Sequence, residues 1–381
     1  MTRLVVLALL MLAAPALRAE EDAAFDSVAR RGIDRVYNLE FERAEEDFRQ
    51  LIRMRPAHPA GHFFMAMVDW WRILINLEDE RYDGRFLSAL DRVVDLCDSL
   101  LDVRENDVTA IFFKGGAIGF QGRLLFHRDD YLAAANAGRK ALPLVQEAIG
   151  LDPDNYDVLL GSGIYNYYAE VIPEQYPFVK PLILFIPPGD KKKGLAQLTL
   201  ASERATYASI EATYFLLQAY YFHERDYVKA LGIARSLHDR FPDNMMFHRY
   251  VGRAYVSMGN WEEATKVFEE IRGRAEKGQR GYGPAIEREA VYYIATNHMQ
   301  AQRYDESLKA FYRCDELSRA LDRKEASGYM ALANLKIGMI YDIQGKRSLA
   351  LTQYRKVKGM KEFRDSHEQA DRYLETPYRG E

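Results

Sequence analysis

The chain has 381 residues, a formal charge of −4, 48% apolar and 28% charged residues. That is a globular composition, and it excludes a disordered, collagen-like or acidic-tail protein. A mean hydropathy of −0.34 excludes a multi-pass membrane protein, the near-neutral balance argues against a dedicated nucleic-acid binder, and two cysteines are too few for a disulfide scaffold or a Cys-rich metal module.

Residues 1–19 are laid out as a secretory signal peptide. Arg3 gives a positive start, Leu4 to Ala14 is an apolar run, and Pro15 is expected to break the helix before a stretch of small residues. The run is shorter than the roughly 20 residues that span a bilayer. Cleavage is expected after Ala19, with Ala14-Pro15-Ala16 as a second site, and no Cys follows either one. The expected location is periplasmic or secreted. Cys97 and Cys314 lie far apart in helical patterns and read as small buried hydrophobes rather than a disulfide pair.

Residues 20–155 read as helical hairpins. The segment 25–58 carries Gly32, Ala44, Phe48 and Pro56 at its positions eight, twenty, twenty-four and thirty-two. Long helices are expected at about 59–77, 82–104, 107–127 and 130–151. Pro143 should kink the last of these or mark a restart. Asp152-Pro153-Asp154-Asn155 reads as a helix stop and start, since a calcium loop would need a Gly and a distal Glu that are missing.

Residues 156–210 break the pattern. Tyr156, Tyr165, Tyr167 and Tyr168 crowd a stretch containing Gly161 and Gly163. Prolines follow at 173, 177, 181, 187 and 188, and between them lies Leu182-Ile183-Leu184-Phe185-Ile186. Such a stretch is not a long helix, and its apolarity argues against disorder. Either it packs on the core, with the glycines allowing close helix approach, or it lines a pocket or a patch for a partner or membrane surface. Gly189-Asp190 followed by Lys191-Lys192-Lys193 reads as a solvated turn and helix start. The glycines at 189 and 194 have phosphate-loop spacing, but Leu195 stands where Lys is needed.

Residues 211–365 repeat. Segment 211–244 has Tyr221, Ala230 and Pro242 at positions eleven, twenty and thirty-two, and 245–278 has Gly252, Tyr255, Ala264 and Phe268 at eight, eleven, twenty and twenty-four. Segment 288–321 supplies Ala295, Ser307 and Phe311, and 331–364 supplies Gly338, Tyr341, Ala350 and Tyr354. Successive Ala or Ser markers are 34, 43 and 43 residues apart. Two inserts account for the excess: a Gly- and Arg-rich loop at 273–285, and a charged stretch at 322–330 expected to lengthen a helix. Residues 366–381 form a tail.

These residues resemble the tetratricopeptide repeat (TPR). Small residues at positions eight and twenty let two antiparallel helices approach, the aromatic at twenty-four fills the gap, and the proline ends the second helix. The resemblance implies an all-α, right-handed helical-hairpin solenoid of about seven to eight hairpins with a concave groove. The 156–194 region is also similar, over a short stretch, to the periplasmic helical component of tripartite solute transporters. It is similar as well to a eukaryotic helical-repeat family associated with outer membranes and inclusion-body handling.

In the repeat family the first helix of each hairpin lines the groove. That implies binding roles for Arg249, Arg253, Tyr292, Thr296 and His223, with Tyr165 and Tyr168 added from the aromatic segment. Paired arginines suit a carboxylate, although the alternative is that they form salt bridges with neighbouring helices. No catalytic, cofactor or metal site is expected. His58 and His62 have zinc-like spacing, but Pro59 makes a helix boundary the better reading. There is no G-x-S-x-G elbow, and acid pairs such as Glu262-Glu263 belong on solvated faces. The expected function is a periplasmic scaffold for protein–protein interaction in a cell-envelope assembly. The alternative is a small-ligand-binding component of a solute transport system. The expected partner is a protein or peptide, or a small acidic ligand, with no nucleic acid and at most peripheral membrane contact.

Overall fold

The computed structural model describes residues 2–380 except 178, 179 and 181–186, with the side chains of 2–19 also outside the description. The apolar run 182–186, expected either to pack on the core or to line a pocket or patch, therefore lies outside the described residues. Among the described residues there are 17 α-helices and no strand. The chain divides into two compact units, Met1–Arg225 and Asp226–Glu381, with the boundary inside the segment 211–244.

The first unit holds α1 (Thr2–Tyr37), α2 (Phe41–Met54), α3 (Pro59–Ile75), α4 (Asp83–Leu101), α5 (Val108–His127), α6 (Tyr131–Leu151), α7 (Val158–Gln175), α8 (Lys191–Arg204) and α9 (Ser209–Gln218). The second holds α10 (Tyr227–Arg240), α11 (Met245–Ser257), α12 (Trp261–Glu276), α13 (Pro284–Gln300), α14 (Tyr304–Leu321), α15 (Gly328–Ile343), α16 (Arg347–Lys358) and α17 (Ser366–Glu375). Within each unit, helices that follow one another in sequence pack side by side as hairpins.

The repeat register is visible in the packing. A Cβ added at Gly252 would lie 2.7 Å from the Phe268 ring, and one at Gly338 2.5 Å from the Tyr354 ring; Gly32 sits in the same way against Phe48. In these three hairpins position eight is glycine because the aromatic at position twenty-four lies on its backbone. Ala44, Ala264, Ser307 and Ala350, all at position twenty, have no exposed surface. The Ser307 hydroxyl donates to the Ala295 carbonyl at 2.8 Å, bridging its hairpin.

The turns share one closure. Leu39, Asp129, Gly259, Gln302 and Gly345 have φ of 60, 61, 74, 56 and 71°. In each case the next residue's N–H reaches back five residues, as from Glu40 to Arg35 (2.8 Å) and from Asn260 to Tyr255 (2.9 Å). This left-handed helix stop gives a partner to a carbonyl that the helix end would otherwise leave open. Asp129 reveals a hairpin that the sequence markers miss. Counted back from that turn, α5–α6 has Gly122 at position eight, Ala134 at twenty and Gly138 at twenty-four, where 25–58, 245–278, 288–321 and 331–364 carry an aromatic and 211–244 carries Ala234.

Several local expectations change. α1 runs through Pro15 and α6 through Pro143 without a break. The stretch 322–327 is a loop rather than a helix extension, held by the Ser327 N–H donating to Asp322 at 2.7 Å. The 273–285 loop is shorter than expected, since α12 continues to Glu276. Asp190 caps α8 by accepting from Lys193 N at 2.9 Å, and His58 caps α3 by accepting from Ala60 N at 3.2 Å. α7 and α8 do approach closely: a Cβ at Gly163 would lie 2.8 Å from Leu198, and one at Gly194 2.5 Å from the Tyr167 nitrogen.

Candidate functional site

The first unit closes on itself. Tyr207, in the loop before α9, donates its hydroxyl to Asp26 of α1, and its ring meets Phe64 of α3 at 5.5 Å. Tyr214 packs on Trp71 at 5.6 Å. The Tyr37 hydroxyl donates to Glu211 at 2.5 Å. Asp157 pins the loop entering α9 by accepting from the backbone nitrogens of Thr206, Tyr207 and Ala208 at 3.2, 2.7 and 2.7 Å. Burial pushes its carboxyl up, and these three donors oppose the shift.

Inside the closed array is a groove of about 530 Å³, walled by α1, α2, α3, α5, α6, α7 and α9. Its lining is strongly aromatic, with Phe63, Phe64, Trp71, Phe113, Phe120, Phe126, Tyr165 and Tyr168 among the residues of the wall. The groove exists where the α5–α6 hairpin lacks its position-twenty-four aromatic. Gly138 lines it, as does Gly119, and a Cβ at either would meet nothing within 4 Å. Glycine inside a helix costs about 1 kcal/mol relative to alanine. No neighbour forces glycine at these two positions, and its effect there is to keep the groove open.

The polar groups of the wall are few. Arg123 pairs with Glu211 at 2.7 Å, and its guanidinium lies 4.4 Å from the centre of the Phe215 ring and 4.8 Å from that of Trp70. Burial, and then the charge of Glu211, push the Tyr37 hydroxyl well up. Burial, with Arg123 and Arg128 nearby, pushes His127 down to about 4.

Of the residues singled out by sequence, Tyr165 and Tyr168 lie in this wall. The Tyr165 hydroxyl also donates to the Pro187 carbonyl. His223 is in the same unit, beside Tyr168 at 5.5 Å and hydrogen-bonded to Gln175 at 2.8 Å. The others belong to the second unit and serve its interior. Arg249 and Arg253 both pair with Glu289 of α13, a carboxylate only 2% exposed. Burial alone would raise this carboxyl, but the two arginines hold it down at about 2. The pair of charges expected to meet a ligand is thus met by the protein itself. Tyr292 and Thr296, expected on the concave face, are in the core. Tyr292 packs on Phe311 and Tyr329 at 5.9 and 5.4 Å, and Thr296 donates to the Tyr292 carbonyl at 2.9 Å.

Sequence reading missed Arg123, Glu211 and Glu289. The available signal was a lone charge in an otherwise apolar helix face, as in α5 and α9. Among the described residues no group of three or more His, Cys, Asp or Glu side chains could hold a metal ion. Cys97 and Cys314 are free and buried, with burial pushing both thiols up to about 12. No described helix is long and apolar enough to cross a membrane.

The chain is a TPR-like helical-repeat protein by the geometry of its hairpins. No family model matches it, and no curated protein matches it. Solved structures similar to it include a human IFIT1 dimer with m7Gppp-AAAA, at 12% identity and TM-score 0.43, covering 92% of this chain and 84% of that one. The IFIT1 dimer with PPP-AAAA is similar at 13% identity and TM-score 0.42, with the same coverage. The C-terminal part of a TPR repeat-containing protein from Cytophaga hutchinsonii is similar at 18% identity and TM-score 0.37, covering 77% of this chain and 98% of that one. The likeness is one of fold alone.

Proposed function

We propose that the protein is an exported helical-repeat binding protein whose first unit takes up an apolar small molecule. The observation that carries this is the groove of about 530 Å³, within the roughly 300–1,000 Å³ of small-molecule sites, open where Gly138 replaces the repeat's aromatic plug. Of the two functions expected from sequence, ligand binding for a transport system is the one this supports. Export rests on the Arg3, Leu4–Ala14 and Ala19 layout, and N-terminal sequencing of the protein from its native cells should find a chain starting near Glu20. A role for the second unit in engaging a protein partner of the cell envelope fits a repeat fold, whose stacked helices offer extended binding surface.

The test restores the missing plug. Gly138→Phe places a ring where Phe48, Phe268 and Tyr354 stand in three other hairpins, over Gly122. Nile red, an uncharged apolar dye, should bind the native protein and lose that binding in Gly138→Phe, while the melting temperature holds or rises. Equal dye binding by both proteins would exclude the groove as the site.

A further inference from the structure

The charged pair in the wall says what the ligand carries, and this step rests on the groove being the binding site. Both oxygens of Glu211 are engaged: Arg123 Nη1 donates to Oε1 at 2.7 Å and the Tyr37 hydroxyl to Oε2 at 2.5 Å. The guanidinium is only partly used. It lies against the rings of Phe215 and Trp70, with 16% of the side chain exposed. Its Nη2 and Nε donate to no described residue, and neither is fully buried. The wall therefore offers fixed N–H donors beside an apolar slot. On α5 that slot runs from Ile111 to His127, about 24 Å at 1.5 Å per residue.

The Arg123–Glu211 pair carries no net charge. A ligand carboxylate at the free N–H groups would leave water for an apolar groove and find its counter-charge already taken by Glu211. A neutral carbonyl oxygen has no charge to desolvate and still gains a hydrogen bond from a charged donor. We infer that the ligand is an uncharged acyl compound, an ester or amide of a long chain. Its carbonyl oxygen sits on Arg123 and its chain runs past Gly119 and Gly138.

The test is displacement of Nile red from the full chain at neutral pH by methyl palmitate, palmitate and hexadecane. Methyl palmitate should displace the dye at about tenfold lower concentration than either of the others, the scale of one hydrogen bond from a charged donor. Glu211→Gln leaves the Arg123 charge unanswered, and palmitate should then overtake the ester. Should that variant fail to fold, Arg123→Met combined with Glu211→Gln removes both charges at once, a change that buried pairs often tolerate; the ester and hexadecane should then be equal. If hexadecane matches the ester in the native protein, or palmitate leads there, the acyl assignment is overturned and the groove reading stands. If none of the three displaces the dye, both are overturned.

Discussion

At the scale of single residues, glycine has two opposite uses in this chain. Gly252 is needed because Phe268 lies on it, and that ring cannot retreat, being fully buried and stacked on Tyr293 at 4.6 Å. Gly252→Ala should therefore destabilise the protein by about 1–3 kcal/mol through overpacking, less whatever helix propensity returns. Gly232, inside α10 with nothing within 4 Å of an added Cβ, should gain up to about 1 kcal/mol on change to alanine. Urea melts of the two variants check the contrast, and equal shifts would mean that the repeat register is misplaced. The first use was legible in sequence, because Gly32, Gly252 and Gly338 each precede an aromatic by sixteen positions. The second was not. Gly138 stands where a search for the repeat's aromatic finds nothing, so the hairpin that shapes the groove was the one that looked irregular.

At the scale of elements, α13 is tied to α11 through a buried charge. Removing Glu289 as Glu289→Gln leaves Arg249 and Arg253 without their shared counter-charge, and should cost about 3–5 kcal/mol. The same carboxylate makes the second unit acid-sensitive. With its pKa held near 2, against 4.5 ordinarily, its contribution is present above about pH 4.5 and is lost as the pH falls towards 2. His248 acts in the same direction. It is stacked on His238 with ring centres 4.1 Å apart, and burial, then His238 and Arg274, push it from 6.5 down to about 3. Its contribution is present above about pH 6.5 and fades as the pH drops. Thermal melts should show a falling transition between about pH 7 and pH 4, shallower in His248→Phe, and a further fall below about pH 4.5; a transition constant between about pH 7 and pH 4 would contradict the His248 assignment, and one with no further fall below about pH 4.5 the Glu289 assignment. Sequence placed the arginines on one helical turn, correctly for their spacing, but gave no sign of a glutamate on α13, 36 and 40 residues away. Spacing identifies residues that share a face and does not identify what that face meets.

At the scale of the whole molecule, the all-α hairpin architecture was legible almost throughout, since each hairpin is held by neighbours in sequence. The closure of the first unit was not. It depends on single side chains far apart in the chain, such as Asp26 with Tyr207 and Tyr37 with Glu211, 181 and 174 residues apart. No periodicity encodes such a pairing. Asp157→Ala, which frees three backbone donors in the loop entering α9, should destabilise the first unit by about 1–3 kcal/mol for each donor left buried and unsatisfied. It should also weaken Nile red uptake, and full uptake by this variant would show that the groove does not depend on the closure.

The two units should then differ in how they come apart. Hairpins that touch only their neighbours can fray from an end, one after another, with a graded series of opening energies. An array whose first and last helices clasp one another has no such end, and its backbone amides should exchange together in a single cooperative event. Its last contacts also close a loop of more than 170 residues, so the first unit should complete its folding after the second. Deuterium uptake followed in time should show staggered protection across α11 to α17 and one shared rate across α3, α5, α7 and α9.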